Sequence, residues 1–196
     1  MRTVAKIFLV VGLLAALAVI GRSLFIAPGS DDSGVPATAA GASISGESLP
    51  QRLIIPRLNI DAKVQHLGIT KSGNMAAPSN FTDVSWYKYG TPPGRVGSAV
   101  VAGHEDNAIS LDGVFKHLED LENGDDVYVL REDGTKLHFK VVDKQVYPYN
   151  LSGPALKEIF EKNDKSRLNL ITCAGIWLKE AKTNDKRLVI YTELVK

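Results

Sequence analysis

The sequence predicts an all-β domain, a small barrel or sandwich with few helices, carried behind an apolar N-terminal segment. Three observations point there. Short apolar runs bounded by turn residues recur from Arg52 to the C-terminus. Glu132-Asp133-Gly134-Thr135 separates two such runs and is a strong hairpin signal. Helical character is confined to Val114–Leu121 and to Pro154–Lys162, the latter with proline in its first turn.

Taken in order, Leu53-Ile54-Ile55 is a strand stopped by Pro56, which has no N–H to give a ladder. Leu58–Val64 contains a second short strand. Ser98–Ala102 reads as a buried strand ending at Gly103. Asp126–Arg131 and Lys136–Tyr147 are the two arms of the hairpin. In the second arm Leu137, Phe139 and Val141 share one face, and His138 and Lys140 the other. Leu168–Thr172 and Arg187–Val195 are the last two strands. No internal repeat is present.

Composition bounds the function. The chain has 196 residues, 44% hydrophobic and 23% charged, with a net charge of +1. That suits one globular domain plus extra sequence, and provides no basic field for nucleic acid. A single cysteine, Cys173, excludes an internal disulfide. Residues 1–26 read as an export segment: Arg2 and Lys6, then an uncharged run from Ile7 to Gly21, then Arg22 and a further apolar patch. As a helix that run spans about 22 Å, short of a hydrocarbon core of about 30 Å, with Lys6 and Arg22 able to snorkel. A cleaved signal peptide is the alternative. An uncleaved signal-anchor is favoured because no A-x-A site follows the run, although Ala16-Leu17-Ala18 lies within it. The positive N-terminus is expected in the cytoplasm and the remaining chain outside the cell. Residues 27–51, rich in Ala, Ser, Gly and Pro, read as a flexible tether, and residues 52–196 as the catalytic domain.

Cys173 follows Leu168-Asn169-Leu170-Ile171-Thr172 and precedes Ala174-Gly175, which sets it at a strand end on a barrel rim. A thiol nucleophile needs a base or cation to ionise it. Among four histidines, His66, His117 and His138 read as ordinary surface or structural residues. His104 follows Val100-Val101-Ala102-Gly103 and so repeats the placement of Cys173. Arg187 opens the last strand. If that strand pairs antiparallel with the Cys173 strand, Arg187 faces Cys173 across the 13 residues Ala174–Lys186, where a guanidinium can hold an oxyanion or substrate carbonyls. Lys186 is the neighbouring alternative. Neither metal-ligand spacing nor a Gly-rich phosphate loop occurs, and no metal or cofactor is expected. The adjacent carboxylates Glu105–Asp106, Asp125–Asp126 and Asp31–Asp32 are assigned no catalysis.

These residues resemble the sortases, whose signature is a T-L-x-T-C stretch on a late strand, an arginine on the next strand, and a histidine well before the cysteine. Here the stretch is Asn169-Leu170-Ile171-Thr172-Cys173, with Arg187 and Ala102-Gly103-His104. The resemblance runs from Leu53 to Val195 and includes Ser85-Trp86-Tyr87, Pro93-Gly94, Val114-Phe115-Lys116-His117-Leu118 and Tyr191-Thr192-Glu193-Leu194. Asn169 departs from the usual threonine. The short connection before the last strand is more similar to classes F and D or E than to class B. The resemblance implies a closed eight-stranded barrel and a membrane-anchored cysteine transpeptidase. Its substrate is a secreted protein with an LPxTG-like sorting signal, and its acceptor a peptidoglycan precursor or a pilin lysine. Cys173 is then the nucleophile, His104 the acid and base, Arg187 the oxyanion ligand, and Thr172 a hydrogen-bond donor to substrate. Two other readings use the same sequence: a tethered β-domain without catalysis, and a cysteine protease that passes the thioester to water.

Overall fold

A computed structural model describes residues 27, 32–34, 48–106 and 112–195. Its strands are β1 Pro50–Ile55, β2 Ile60–Leu67, β3 Val84–Tyr87, β4 Gly97–Ala102, β5 Asp126–Arg131, β6 Lys136–Pro148, β7 Ser166–Leu178 and β8 Thr183–Leu194, with helix α1 at Pro154–Phe160. They close into a barrel in the order β1-β2-β3-β4-β7-β8-β6-β5, which decides between the barrel and sandwich readings. The β2–β3 and β4–β7 pairs are parallel and the rest antiparallel.

Alternation along each strand builds the barrel interior. Leu53, Ile55, Val84, Trp86, Ala99, Val101, Val127, Val129, Phe139, Val141, Leu168, Leu170, Leu188 and Ile190 all face it. A second, smaller cluster lies outside the wall formed by β4, β7 and β8. There Val100, Val189 and Tyr191 pack with Ile159 of α1. Covered on both faces, β4 is apolar almost throughout, which is why Ser98–Ala102 reads as a buried run.

The β5–β6 turn forms as expected: Arg131 N–H donates to Thr135 O at 2.9 Å, and Gly134 supplies the left-handed residue at φ 83°. Val114–Leu121 does not become an α-helix. Its N–H groups close i→i−3 turns, Leu118 on Phe115 O, Asp120 on His117 O and Leu121 on Leu118 O, while Val114 and Phe115 donate to the distant carbonyls of Phe81 and His104. Only the 3-10 turn Leu118–Asp120 remains. The strand Val84–Tyr87 is too short and too buried to show a period in the sequence.

The expected anchor, residues 1–26, lies outside the described residues; among those described, no helix is long and apolar enough to cross a membrane. The described parts of the 27–51 stretch are seated on the barrel rather than free. Ala27 is buried and donates its N–H to Ser79 O at 2.9 Å. Lys88 Nζ meets Asp32 at 2.6 Å, and Gly34 N–H donates to Ile69 O at 3.0 Å. Ser48 accepts from Asp133 N–H at 2.9 Å, and β1 already starts at Pro50.

Candidate active site

Three adjacent strands carry the site, and their register assembles it. In the parallel β4–β7 pair Ala102 is opposite Ile171; two residues further on, His104 comes level with Cys173. Gly103 is stitched to β7 on the way, its N–H donating to Ile171 O at 3.2 Å and its carbonyl accepting from Thr172 Oγ1 at 2.8 Å. In the antiparallel β7–β8 pair Cys173 is directly opposite Arg187. Residues aligned across strands share a face. Leu168 and Leu170 point into the barrel, so Cys173 points out, as do His104 beyond Val100 and Arg187 before Val189.

This placement corrects the rim geometry expected from the sequence. Cys173 does not end its strand, since β7 continues to Leu178. Arg187 lies inside β8, which starts at Thr183. The 13 residues between them are mostly paired strand, closing at Leu178 opposite Thr183, with a register shift between Ala174 and Trp177. At that bulge Gly175 is at φ 83°, and Ile176 N–H donates to Asp185 Oδ1 at 2.8 Å. Cys173 is reachable because it faces outward, not because the strand stops. Lys186, one residue before Arg187, projects from the opposite face of β8.

Thr172 also differs from expectation. It is buried, points to the interior side opposite Cys173, and spends its hydroxyl on Gly103. From that position the side chain holds the His104 strand to the Cys173 strand and does not reach a substrate on the outer face.

His104 Nε2 is 2.9 Å from Pro78 O. A carbonyl can only accept, so Nε2 carries the hydrogen, and in the neutral ring Nδ1 is the basic nitrogen. Phe81 packs against the ring at 5.0 Å between centroids. Burial pushes the His104 pKa down, partly offset by the Pro78 carbonyl and by Asp106. Burial pushes the Cys173 thiol up; the Arg187 charge and a hydrogen bond from Thr183 oppose this, while Glu105 and Asp106 add to it. Both directions favour a neutral resting pair. The Arg187 guanidinium is fixed by its own hairpin: Nη1 donates to Asn184 O at 3.1 Å and Lys186 O at 2.8 Å, and Nη2 to Thr183 Oγ1 at 2.7 Å.

Several participants left no trace in the sequence. Pro78, Phe81 and Thr183 carry no motif and reach the site only through tertiary contacts. Glu105 is visible as the neighbour of His104 but not as a partner of the hairpin, where Asn184 Nδ2 donates to it at 3.3 Å. Burial raises its pKa, against the pull of Lys116. No group of His, Cys, Asp and Glu that could hold a metal occurs among the described residues.

Sheet register thus sets an outward cysteine level with a histidine and an arginine on the wall of a closed barrel. The description "Sortase domain" matches residues 53–195, and the chain belongs to the sortase family. Its fold is similar to sortase C1 of pilus island 1 of GBS, at 20% identity and a TM-score of 0.56, over 74% of this chain and 63% of that one. It is also similar to sortase C-1 from Actinomyces oris, at 20% identity and 0.60, over 93% and 96%. A Clostridium perfringens sortase D5 transpeptidase matches at 14% identity and 0.54, over 77% and 81%. The chain thus spans just under two thirds of the GBS enzyme and nearly all of the Actinomyces one. Among curated proteins none matches. Structures of sortases C and D alike do not single out class F.

Proposed function

We propose that this chain is a cysteine transpeptidase that cleaves an LPxTG-like sorting signal and transfers the acyl group to an amine. The observation that carries the reading is the register that sets His104, Cys173 and Arg187 level on one outer face. Nδ1 of His104 takes the thiol proton of Cys173, Sγ attacks the scissile carbonyl carbon, and the negative oxygen that forms is stabilised by the fixed Arg187 guanidinium. As the C–N bond breaks, His104 gives its Nδ1 proton to the departing amine, leaving a thioester on Cys173. An incoming amine attacks that thioester, passes its proton back to Nδ1, and expels the thiolate. Thr172 acts through Gly103 as a positioning residue. The apolar 1–26 segment anchors the chain with the barrel on the outer side of the membrane, and the acceptor is a peptidoglycan precursor or a pilin lysine.

The test incubates the full chain with a panel of LPxTG-like peptides, with and without an amine, and reads intact masses. A Cys173-dependent adduct that passes to the amine supports the reading. An adduct that only hydrolyses makes the chain a protease, and an unreactive Cys173 makes it a silent binding domain.

A further inference from the structure

The strands that align the site also fix which end of the barrel meets the rest of the chain. β4 and β7 run parallel, so His104 and the tip of the β7–β8 hairpin lie at the same end. β3 runs antiparallel to β4, which brings the segment ahead of β3 to that end as well; the bond from His104 to Pro78 O joins them. Ala27 is fixed there, buried, with its N–H on Ser79 O at 2.9 Å. In the sequence Ala27 follows directly on the apolar stretch that ends at Ile26. From Ala27 the chain leads away from this end, since Asp32 meets Lys88 just past the far end of β3 and Gly34 pairs with Ile69. Ala27, the residue that follows the apolar N-terminal stretch in the sequence, is therefore held at the His104 end of the barrel.

The same end presents an apolar patch. Ile176 is 69% exposed and Trp177 59% exposed, whereas the other tryptophan, Trp86, is 1% exposed in the core. Lys179, Lys182 and Lys186 of the same hairpin are exposed; Glu180 is the one exposed acid between Gly175 and Lys186. Asp185, the other acid of the hairpin, holds the Ile176 N–H. An exposed indole and aliphatic side chain on a hairpin that also carries long ammonium chains suit the boundary between headgroups and acyl chains, where the rings seat and the amines reach anionic lipid.

We propose that the β7–β8 hairpin docks on an anionic lipid bilayer, seating Ile176 and Trp177 at the headgroup boundary and holding the Cys173 face at the membrane surface. This rests on the anchorage proposed above. Two independent features select a bilayer as occupant: the lysines complement an anionic surface, and the chain that must reach a bilayer leaves the barrel at this end. Substrates are then taken within reach of the lipid surface.

The experiment reconstitutes the full chain in phosphatidylcholine vesicles with and without roughly one-third phosphatidylglycerol, bearing brominated acyl chains. Trp177 emission is obtained by subtracting the Trp177→Phe variant, whose remaining signal is buried Trp86. The expected result is a blue-shifted Trp177 quenched by bromine in the anionic vesicles, with less of both effects in neutral vesicles or high salt. Lys179→Gln with Lys182→Gln lowers the docked-to-undocked ratio by about 25-fold, each lysine contributing about fivefold near such a surface. A chain that floats with the vesicles while Trp177 keeps a water-exposed, unquenched emission overturns the docking alone. A Trp177 that is blue-shifted but unquenched overturns it in favour of a protein contact. A chain that does not float overturns the anchorage and the docking with it.

Discussion

Replacing Thr172 by valine tests whether that residue serves the substrate or the scaffold. The change keeps volume and β-branching but removes the 2.8 Å bond from Thr172 Oγ1 to Gly103 O. Thr172 is 4% exposed, so water cannot replace the lost donor, and the Gly103 carbonyl is left with an unmet acceptor. Stranding a buried acceptor costs about 2 kcal/mol, which lowers Tm by about 4–8 °C for a domain of this size. Gly103 then keeps one of its two ties to β7, the N–H to Ile171 O, and His104 follows it. Loss of alignment beside Cys173 lowers kcat/KM by about tenfold to a hundredfold, with Thr172→Ser restoring both values. Calorimetry and the peptide–amine transfer assay check this together. Full activity loss with unchanged Tm would refute the argument, because it would mean the hydroxyl touches substrate rather than Gly103.

Two further outcomes follow from the site. Burial lowers the His104 pKa and raises that of Cys173, so kcat/KM against pH is a bell with its acid limb below the ordinary histidine value of about 6.5 and its alkaline limb above the ordinary thiol value of about 8.5. The thiolate–imidazolium form is then the minor one between those limbs, and iodoacetamide alkylation of Cys173 rises steeply only on the alkaline side; rapid alkylation at neutral pH would count against the neutral pair. In stability the signs run outward: the unfolded chain binds the histidine proton more readily as pH falls below about 6.5 and loses the thiol proton first as pH rises above about 8.5, so both groups destabilise the fold outside that window. Gly175→Ala drives a methyl into the Asp185 carboxylate at a backbone φ of 83°. Asp185 must swing off the Ile176 N–H and the positive φ is strained, so the bulge is disturbed and kcat/KM falls as Arg187 loses its frame, by about tenfold or more; a transfer assay showing wild-type rates would mean the bulge does not set the arginine.

How far the sequence reaches depends on whether the cause is local. The β5–β6 hairpin is legible because Gly134 and the alternation of Leu137, Phe139 and Val141 are local signals, and they survive into the barrel. Val114–Leu121 has local helical character, yet its start is tied by Val114 N–H to Phe81 O and Phe115 N–H to His104 O, and the N–H groups of Leu118, Asp120 and Leu121 then close tight three-residue turns in place of α-helical ones. The Thr172 hydroxyl bonds Gly103 and not substrate for a related reason. Strand alternation from Leu168 and Leu170 already places it on the inner face, but only the closed barrel says which face is inner.

By itself the sequence determines the chemistry on offer: one thiol, a histidine and an arginine each tied to an apolar strand, and no disulfide or metal framework behind them. It also determines the order of these residues, which suffices for the family. The tertiary structure decides that they meet on the outer wall instead of at a rim, because the parallel β4–β7 register and the β7–β8 bulge are agreements between segments far apart in the chain. It likewise decides that Ala27 sits against Ser79 beside the His104 end. A composition of small and polar residues carries no information about the surface it will find, and contacts of that kind exist only once the surface has formed.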